Sequence, residues 1–509
     1  MTDWQALAAL AAVPPTNPTI AVTSPLDGAV LGHVPAATPD DLRAAVTRAR
    51  AAQAGWDRLG PWPRADVLAH FAKAVCDHQD EFLDLVHAEN GKARIHALDE
   101  VLDVIQTAAY LASHAPRQLR PERRRGALPL LTATRVRYRP QGVVGVIAPW
   151  NYPLSLAAVD ALAALAAGNA VVLKPDSATP LTALLVARCL AEAGLPDGVL
   201  QVVPGSGRDL GTPLIEAVDH VMFTGSTATG REVAAQCGRL LKDCSAELGG
   251  KNPMLVLADA DVPRAARGAV TACFHTTGQC CMSIERLYLH DAVYDRFLAE
   301  FIPLVEALRL GAGDGWDVDL GPLISAAHLA KVQAHVDNAL AQGARAVTGG
   351  AARPDVGPLF FAPTVLEGVD ATMALAREET FGPVVAVYRV ADDDAAVAAA
   401  NDTEYGLNAS VWGEARHAAA VARRLTAGVV NVNEGFMAGY GSVDAPMGGT
   451  GISGLGRRHG PEGLRGFTNP QTIARQRLLN IAVPPGVTRQ TYARATTRLA
   501  RFLYPGRGV

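Results

Sequence analysis

The feature that most constrains the fold is an alternation of short apolar runs and helical segments that begins at Gly142. Helices are predicted from Thr179 to about Ala193 and from near Thr227. A strand, a crossover and a further strand build a parallel sheet. We therefore predict an open parallel α/β sheet of the nucleotide-binding type, and a second α/β stretch from about Lys251 to Ala445. The predicted strands of the first sheet are Val143–Ala148, Ala170–Leu173, Val199–Val203 and His220–Phe223.

Further helices and two exposed strands are predicted outside this region. Residues 39–57 and 63–115 carry apolar side chains at three- and four-residue spacing, which is typical of helices packed on a core. Thr132–Tyr138 alternates as an exposed strand does, and Phe467–Arg475 predicts another strand. We interpret the arginine run Arg123–Arg125 as a solvated arm rather than a basic signal.

Size and charge exclude several classes of protein. The chain has 509 residues, which predicts two or three domains, and a net charge of −4, which offers no basic surplus for nucleic acid or an anionic membrane. The first Lys or Arg is Arg43, so no leader peptide is expected. The longest apolar run, Leu156–Ala167, contains Asp160 and is too short to span a bilayer. Seven cysteines, mostly scattered, indicate a reducing compartment. We expect a cytoplasmic protein.

Cys281 is the strongest candidate nucleophile. It ends the run Gly278-Gln279-Cys280-Cys281, in which the lead-in residues predict a tight turn with exposed amides. An accessible sulfur near N–H dipoles suits a reactive thiolate. The alternative is a buried cysteine that acts as a small apolar side chain. We interpret Cys280 as a spacer, with reversible oxidation of the pair as a minor alternative.

Besides Gly205-Ser206-Gly207, which also follows a predicted strand, two glycine patterns compete as the phosphate-binding loop. Gly225–Gly230 follows a predicted strand and opens a predicted helix, the position where backbone N–H groups can hold a pyrophosphate. The alternative for this stretch is an ordinary strand–helix turn. Gly449–Gly454 matches the dinucleotide fingerprint letter for letter, but no buried strand precedes it and no amphipathic helix follows. We interpret the second pattern as a decoy.

Three polar residues stand at positions suited to chemistry. Lys174 ends a predicted strand, where ligands of parallel sheets bind. Glu247 precedes two glycines and could activate water, and Asn151 lies between two prolines and could donate to an oxyanion. The alternatives are a solvated strand end, a surface charge and a capping residue. The chain has six Lys against 40 Arg, so the lysines at 174 and 251 are of particular interest.

These motifs, in this order and spacing, resemble the NAD(P)-dependent aldehyde dehydrogenase superfamily from about residue 20 to 475. The similarity is closest to the bacterial succinate-semialdehyde dehydrogenase (NADP) branch. The residues that carry the resemblance are Pro149–Pro153, Lys174-Pro175, Phe223–Gly230, Glu247–Asn252, Phe274–Cys281, Glu379–Pro383 and, for the branch, Lys174–Ser177, Ser283–Arg286 and Gly456–Gly463.

The resemblance implies a catalytic role for three residues. Cys281 would attack the aldehyde, and the Asn151 amide together with the Cys281 N–H would hold the oxyanion. Glu247 would activate the water that releases the acid. Such a reaction joins a soft nucleophile, fixed donors and a base for the second step.

The resemblance also implies a set of cofactor contacts. Ser177 stands where NAD-preferring members often carry Glu, which would repel a 2′-phosphate, so NADP is favoured over NAD. Asp176 could oppose this preference. The implied cofactor-binding residues are Trp150, Lys174, Ser177, Gly225, Ser226, Gly230, Glu379 and Phe381.

The implied architecture has two open parallel-sheet α/β domains and a β-arm for oligomerisation. Residues 1–119 and 141–249 would form the dinucleotide-binding domain and 250–446 the catalytic domain. Residues 120–140 and 447–509 would form the arm and tail, and a homodimer or homotetramer is expected. We have no functional account of the residues after about 478.

Departures from the family pattern yield two further expectations. Many members place Lys nine residues after the Asn and Glu in the glycine-rich loop. Here these are Asp160 and Arg458, and we predict that the two form an ion pair. Arginines that hold a distal carboxylate in some succinate-semialdehyde dehydrogenases are replaced here by Val159 and His275, so the sequence shows no anion site. We expect His275 to be structural.

The leading interpretation is oxidation of an aldehyde to a carboxylic acid, with succinate semialdehyde as the expected substrate. The alternatives are an enzyme for uncharged aliphatic or aromatic aldehydes, a CoA-acylating relative and a non-catalytic scaffold. No His, Cys and Asp cluster has metal-ligand spacing in the sequence, so we predict no catalytic metal.

Overall fold

The computed structural model describes residues 4–128, 131–477 and 482–503. The α-helices are α1 (Pro39–Arg58), α2 (Pro61–Asp77), α3 (Gln79–Asn90), α4 (Arg94–Gln118), α5 (Ser155–Ala167), α6 (Pro180–Glu192), α7 (Gly207–Ala217), α8 (Thr227–Arg239), α9 (Val262–Phe274), α10 (Tyr294–Glu306), α11 (Ala326–Ala341), α12 (Ala374–Arg377), α13 (Asp393–Asn401), α14 (Ala415–Ala422), α15 (Met437–Tyr440), α16 (Gly460–Gly466) and α17 (Arg489–Leu503). Two 3₁₀ segments are Trp4–Leu10 and His275–Gly278.

The strands are β1 (Thr19–Thr23), β2 (Val30–Pro35), β3 (Glu122–Arg124), β4 (Thr132–Pro140), β5 (Val143–Ile147), β6 (Ala170–Lys174), β7 (Leu200–Val202), β8 (His220–Thr224), β9 (Asp243–Glu247), β10 (Asn252–Val256), β11 (Ile284–His290), β12 (Arg345–Thr348), β13 (Thr364–Glu367), β14 (Val384–Val390), β15 (Tyr405–Gly406), β16 (Asn408–Trp412), β17 (Val429–Val432), β18 (Thr450–Gly451), β19 (Gly454–Leu455) and β20 (Thr468–Gln476).

The first large sheet has the order β19-β9-β8-β5-β6-β7. Strands β5 to β9 are parallel to their neighbours, and only the short β19 is antiparallel. The chain runs from β5 outward through β6 and β7, and then returns to the other side of β5 for β8 and β9. The order therefore reverses beside β5, and the crevice beyond the carboxyl ends of β5 and β8 is the position where such sheets bind ligands. The predicted α/β fold is confirmed.

Helices α1, α5, α6 and α8 pack on this sheet, and α2 to α4 pack on α5 and α6. Helix α5 is apolar almost all round and nearly every side chain in it is buried, so the longest apolar run is a core helix. The predicted helical stretch 63–115 is in fact three helices, broken at His78 and at Gly91. Gly91 has φ +80°, and a Cβ there would lie 2.8 Å from Cγ of Pro322. Only glycine fits this backbone conformation and this close contact, so the break at position 91 requires Gly91.

The second large sheet has the order β12-β13-β14-β11-β10-β16-β17. All pairs are parallel except β12 with β13. Phe274, Phe297 and Phe301 are fully buried in the core beneath it. This sheet corresponds to the second α/β stretch that was predicted from Lys251 to Ala445.

Residues 120–138 and those from 470 onward form a separate compact unit. Its three-stranded sheet has the order β20-β4-β3. Within this unit, Arg135, Arg137, Arg475 and Arg477 line one concavity of ≈ 410 Å³. We predicted that the arm unit would include residues 447–469, but these belong to the larger unit because β19 pairs with β9. No helix among the described residues is long and apolar enough to cross a membrane.

Candidate active site

One cavity of ≈ 210 Å³ lies beyond the carboxyl ends of β5, β8 and β9. The loops after these strands contribute most of its lining, and the loops before β11 and β14 close it. It brings together residues that are far apart in the sequence. Its lining residues are Pro149, Trp150, Asn151, Thr224, Gly225, Ser226, Glu247, Leu248, Gly249, Cys281, His328, Lys331, Glu379 and Phe381.

Cys281 reaches this cavity from a tightly held loop. The loop follows the 3₁₀ turn that ends at Gly278, which has φ +70° and whose Cβ would lie 2.0 Å from the carbonyl oxygen of Gly382. The Cys281 carbonyl accepts a hydrogen bond from Asn252 Nδ2 at 2.8 Å. Cys280 is buried, whereas Cys281 is partly exposed. The geometry therefore presents the second thiol of the pair to the cavity.

The two adjacent thiols titrate together. Their mutual hydrogen bond, followed by burial, raises the pKa of Cys281 well above its ordinary value, and Arg458 acts in the opposite direction. The same hydrogen bond lowers the pKa of Cys280 to about 7. The two thiols therefore lose their first proton near neutral pH as a pair, and the pKa of this step belongs to neither sulfur alone.

Asn151 lies in the loop after β5, where hydrogen bonds hold both its side chain and its backbone. Its side-chain Nδ2 donates to the carbonyl of Gln279 at 3.0 Å, and its own carbonyl accepts from Lys92 Nζ at 2.8 Å. Lys92 is buried in an ion pair with Glu100, whose other oxygen accepts N–H groups at the start of α5. An amide nitrogen carries two N–H groups. Among the described residues only one of them has an acceptor, so the other can serve a substrate oxygen.

Glu247 ends β9 and is 3% exposed. In the described part of the chain its Oε2 has no hydrogen-bond partner. Burial raises the pKa of Glu247 to about 8, with Arg458 opposing and Asp160 reinforcing the shift. A carboxyl group with a pKa near the working pH can both take up and release a proton.

Glu379 and Phe381 enter the cavity from the loop before β14. Glu379 Oε1 accepts the Gly250 N–H at 2.9 Å, and burial raises the pKa of this carboxyl to about 7. Phe381 has φ +59° and meets the Trp150 ring edge-on at 5.6 Å between centroids.

Two cavity residues, His328 and Lys331, were not predicted. Both lie on α11, where His328 Nε2 contacts the Phe381 carbonyl at 2.7 Å and Lys331 Nζ donates to the Glu379 carbonyl at 2.9 Å. Burial lowers the pKa of His328 to about 4, so its ring is neutral. Helix α11 belongs to none of the recognised motifs. The scarcity of lysine in the chain was the one signal that could have indicated Lys331.

A second cavity of ≈ 390 Å³ shares Pro149, Trp150, Thr224, Gly225 and Ser226 with the first. It contains the start of α8, where Ser226 caps the helix by accepting the Thr229 N–H at 3.3 Å. Its other lining residues are Ile147, Ala148, Lys174, Asp176, Gly207, Gly211, Thr212, Ile215, Phe223, Thr229, Glu232, Val233 and Gln236.

The glycine loop before α8 allows the helix to approach the sheet closely. A Cβ at Gly230 would lie 2.2 Å from Cδ2 of Leu248. The decoy pattern at Gly449–Gly454 instead forms the short strands β18 and β19 and opens no helix. The cavity at the start of α8 offers free backbone N–H groups and a lysine, which suits a pyrophosphate. The two adjoining cavities together therefore fit an extended dinucleotide.

The residues predicted at the adenosine end divide into two groups. Lys174 Nζ lies in the second cavity, donates to the Pro175 carbonyl at 3.1 Å and has its pKa lowered by burial. Ser177 is not among the lining residues, and its hydroxyl donates to the Gly205 carbonyl at 3.0 Å. Its neighbour Asp176 lines the cavity instead.

The predicted ion pair between Asp160 and Arg458 is confirmed. Arg458 Nε and Nη2 donate to the two Asp160 oxygens at 2.8 and 2.7 Å. Arg458 Nη2 also donates to Thr224 Oγ1 at 2.9 Å. The pair links α5 to the loop before α16 and touches the end of β8.

The wall behind Cys281 is aromatic and apolar. It includes Tyr152 and Phe436, whose rings contact the ring of His275. Burial lowers the pKa of His275 well below its ordinary value, so this ring is neutral. Lys92 lies over the Tyr152 ring at 3.7 Å, but it is engaged with Glu100. Neither Val159 nor His275 provides a guanidinium that could bind a carboxylate through two hydrogen bonds.

One cluster of possible metal ligands lies outside both cavities. The ligand atoms of His78, Cys189 and Glu192 fall within 4.8 Å of one another, which sequence spacing could not reveal. Both nitrogens of His78 already contact carboxylates, at 3.1 Å to Glu81 and 3.0 Å to Glu192. Arg188 pairs with the same two carboxylates. The cluster is therefore a satisfied ion network.

Comparison with known proteins supports one family. A sequence model of the aldehyde dehydrogenase family matches residues 13–473. The chain is 48% identical over 483 residues to a protein of Mycolicibacterium smegmatis provisionally named succinate-semialdehyde dehydrogenase, NADP(+), covering 94% of this chain and 93% of that one. It is 40% identical over 463 residues to a 4,4'-diapolycopene aldehyde oxidase of Methylomonas sp, covering 89% and 85%.

Solved structures agree with this assignment. An NADP-dependent enzyme of E. coli superposes with a TM-score of 0.87 at 36% identity, covering 90% of this chain and 95% of that one. A betaine aldehyde dehydrogenase of Staphylococcus aureus, in complex with NAD+, superposes with a TM-score of 0.88 at 31% identity, covering 92% and 96%.

Proposed function

The chain belongs to the aldehyde dehydrogenase family, and we propose that its first cavity oxidises an aldehyde to a carboxylic acid with Cys281 as the nucleophile. The observation that supports this most is the convergence of Cys281, Asn151 and Glu247 on one cavity next to a dinucleotide-sized groove. A nucleophile, an oxyanion donor and a base at one site are the parts that acyl chemistry needs.

In the first step, the Cys281 thiolate attacks the aldehyde carbon, and a C–S bond forms as the carbonyl π electrons move to oxygen. The oxyanion of this thiohemiacetal is held by the free N–H of Asn151 Nδ2 and by the Cys281 backbone N–H. These donors are fixed before the reaction, so they stabilise the developing charge without reorganisation. A bound nicotinamide would supply the acceptor for the hydride of the former aldehyde carbon, and a thioester would then remain on Cys281.

In the second step, Glu247 removes a proton from a water molecule that attacks the thioester carbon. The C–S bond then breaks, the acid leaves and Cys281 is restored as a thiolate. Glu247 releases its proton to solvent before the next turnover. A buried base with a raised pKa is strong enough for this role, provided that it is ionised.

Several residues would hold the cofactor. The start of α8, with Gly225 and Ser226, would bind the pyrophosphate, and Lys174 would bind the adenosine ribose. Glu379 would accept from the nicotinamide ribose, with Trp150 and Phe381 packed beside it. Gly230 would act through close packing, and Ser177 through the absence of a carboxylate at its position.

Succinate semialdehyde is the substrate that we propose, because relatives at 46–48% identity carry this name. The aromatic wall behind Cys281 favours a second candidate, an uncharged aliphatic or aromatic aldehyde. Values of kcat/KM for succinate semialdehyde, hexanal and benzaldehyde would separate the two. A preference of more than about tenfold for an uncharged aldehyde would contradict the first candidate.

NADP is the cofactor that we expect to be preferred over NAD. Relatives at 46–48% identity carry NADP(+) in their names, and no glutamate stands at position 177 to repel a 2′-phosphate. The Asp176 carboxylate opposes the preference from the cavity wall. Comparing kcat/KM for the two cofactors tests this, and a strong NAD preference would contradict it.

Two other interpretations make different predictions. A CoA-acylating enzyme would need CoA for turnover, whereas the presence of Glu247 favours water as the acceptor. Steady formation of NADPH without CoA would exclude the CoA-acylating enzyme. A non-catalytic scaffold would show neither turnover nor iodoacetamide labelling of Cys281.

We also propose a homodimer or homotetramer, built through the outer edge of β20. This strand is exposed along nearly its whole length, and an open strand edge offers its N–H and C=O groups for pairing with another chain. Light scattering of the full chain would measure the state, and a monomer would contradict the proposal. The seven cysteines are free, which supports our proposal of a cytoplasmic location.

A further inference from the structure

Arg458 is fixed in a buried position beside the catalytic cavity. It makes two hydrogen bonds to Asp160 and one to Thr224, and the side chains of the ion pair are only 5% and 3% exposed. Thr224 itself lines the cavity that contains Glu247. These bonds use Nε and Nη2 of the guanidinium, which leaves the N–H groups of Nη1 for another acceptor.

Glu247 is a buried acidic group near this guanidinium, because it is paired in register with Thr224, the residue that Arg458 contacts. In the described residues its Oε2 accepts no hydrogen bond, although the side chain is buried. A buried carboxylate without a partner is unstable in its charged form. The side of Glu247 that faces the glycine-rich loop is also crowded, because a Cβ at Gly448 would lie 2.8 Å from Oε1.

We propose that the Asp160–Arg458 pair is a positioning element that holds a fixed positive charge beside Glu247 and stabilises the ionised base during release of the acyl group. This inference rests on the proposed role of Glu247 in that step. Asp160 has the supporting part, since it fixes the guanidinium and balances its charge in the core. Arg458 is thus a positioning residue that acts through Glu247.

The sign of the effect distinguishes this role from a structural tie. Arg458 lowers the pKa of Glu247 more than Asp160 raises it, so the pair as a whole favours the ionised carboxylate. A pair with the two charges exchanged would tie α5 to the loop equally well. It would, however, place an anion where Glu247 now meets a cation.

Exchanging the charges of Asp160 and Arg458 leaves the other charged and titratable groups near Glu247 unchanged. Arg457 also lowers the pKa of Glu247, but its Nη1 is engaged with the carbonyls of Gly449 and Gly456 at 3.0 and 2.6 Å. Lys331 is engaged with the Glu379 carbonyl. Among the described residues, the charged and titratable groups that act on Glu247 or share its cavity are Asp160, Cys281, His328, Lys331, Glu379, Arg457 and Arg458.

The test uses two double variants of the full chain. Asp160→Asn with Arg458→Gln removes both charges together, so no uncompensated charge is left in the core, and Asp160→Lys with Arg458→Glu exchanges them. The pH dependence of acyl-enzyme hydrolysis is measured after rapid mixing of enzyme, aldehyde and NADP. We expect the midpoint to rise by about one pH unit in the neutral pair and further in the exchanged pair. At pH 7 hydrolysis would then be about tenfold slower in the neutral pair.

Controls separate this inference from its premise. The first burst of NADPH should remain near one per active site in wild type and in both double variants. If wild type forms no NADPH from the aldehyde, the proposed function fails. If wild type gives a burst and the exchanged pair keeps the wild-type midpoint, the positioning role fails and the pair is a structural tie.

Two single variants complete the design. Arg458→Lys keeps the charge and loses the fork, so its midpoint should stay close to wild type, and a shift as large as in the neutral pair would overturn the proposal. Arg457→Gln removes the less buried arginine and should shift the midpoint less than the neutral pair. Thermal unfolding of each variant shows that the compared proteins are folded.

Discussion

The two cavities share a wall, but they hold their polar groups differently. In the first cavity, Asn151 and Glu379 are each bonded to backbone groups of another segment, and Glu247 is buried. The second cavity is larger, and its lining is made of a helix start, a lysine and side chains such as Asp176 and Glu232. The first cavity therefore holds its polar groups in fixed positions, whereas the second presents a helix start and side chains of both charges.

This difference indicates where substitutions should matter. A group that acts on reacting atoms is lost completely when it is replaced, because no neighbour can take its place at the required distance. A group that binds part of a long ligand shares the task with several others. We therefore expect effects to fall steeply from the first cavity to the second.

The largest effect is expected for Cys281→Ala. Without a sulfur no covalent intermediate forms, and kcat/KM should fall by about 10⁴-fold or more. NADPH absorbance measures the rate. Cys280→Ala is the matched control, since it removes the neighbouring buried thiol and should keep most of the activity. Equal losses in the two variants would contradict the assignment of the nucleophile.

The next effect concerns Glu247→Gln, which keeps the shape of the side chain and removes the base. Turnover should fall by about 10²- to 10⁴-fold, the usual contribution of general base catalysis. The burst of NADPH should remain, because attack and hydride loss precede the need for the base. Mass spectrometry should show the acyl group on Cys281. A variant that lost the burst as well would place Glu247 earlier in the reaction.

The pH dependence of the wild type tests the same site without a mutation. Burial raises the pKa of Glu247 to about 8, and only the ionised form accepts a proton from water. The rate of acyl-enzyme hydrolysis should therefore rise with pH to a plateau above pH 8 and fall about tenfold per pH unit below it. A hydrolysis rate that stayed flat between pH 6 and 9 would contradict this assignment.

A smaller effect is expected in the second cavity for Lys174→Met. The loss of one donor to the cofactor should raise KM for NADP by about tenfold with little change in kcat. Lys73→Met is the matched control, because Lys73 is exposed, pairs with Asp77 and lines neither cavity. A fall in kcat with an unchanged KM for NADP would contradict the expected difference between the two cavities.

The smallest effect should follow Asp176→Asn. Removing this carboxylate from the wall should raise the ratio of kcat/KM for NADP over NAD by about three- to tenfold, since a 2′-phosphate is no longer repelled. Ser177→Ala should leave the ratio unchanged, because its hydroxyl is bonded to the Gly205 carbonyl. A larger change in the Ser177 variant would show that this residue faces the cofactor.

Local patterns predicted much of the sheet that carries the site. Strands β5 and β8 lie within one residue of their predicted bounds, because a short, largely apolar run before a turn leaves few alternatives. The helical break at Gly91 was missed, since the apolar spacing continues through it and the cause is a close approach by Pro322, far along the chain. Periodicity does not carry information about such tertiary contacts.

The candidate site shows the same division. Cys281, Asn151 and Glu247 stand in recognisable motifs, and the structure brings them to one cavity, while their roles remain predictions. His328 and Lys331 come from a helix without a motif. The Asp160–Arg458 pair could be predicted because both charges depart from the family pattern in opposite directions, which is informative about contact even 298 residues apart.

The small sheet of the arm has a consequence for how the protein is made. Thr132 of β4 is hydrogen-bonded to Gln476 of β20, 344 residues later. At a synthesis rate of about 5–20 residues per second, β4 leaves the ribosome about 20–70 s before its partner strand exists. During this interval its edge is open to other chains. Assembly of this sheet must therefore be among the last events of biosynthesis, and a messenger that ends early yields a chain in which the arginine-rich β4 is paired with β3 on one side only.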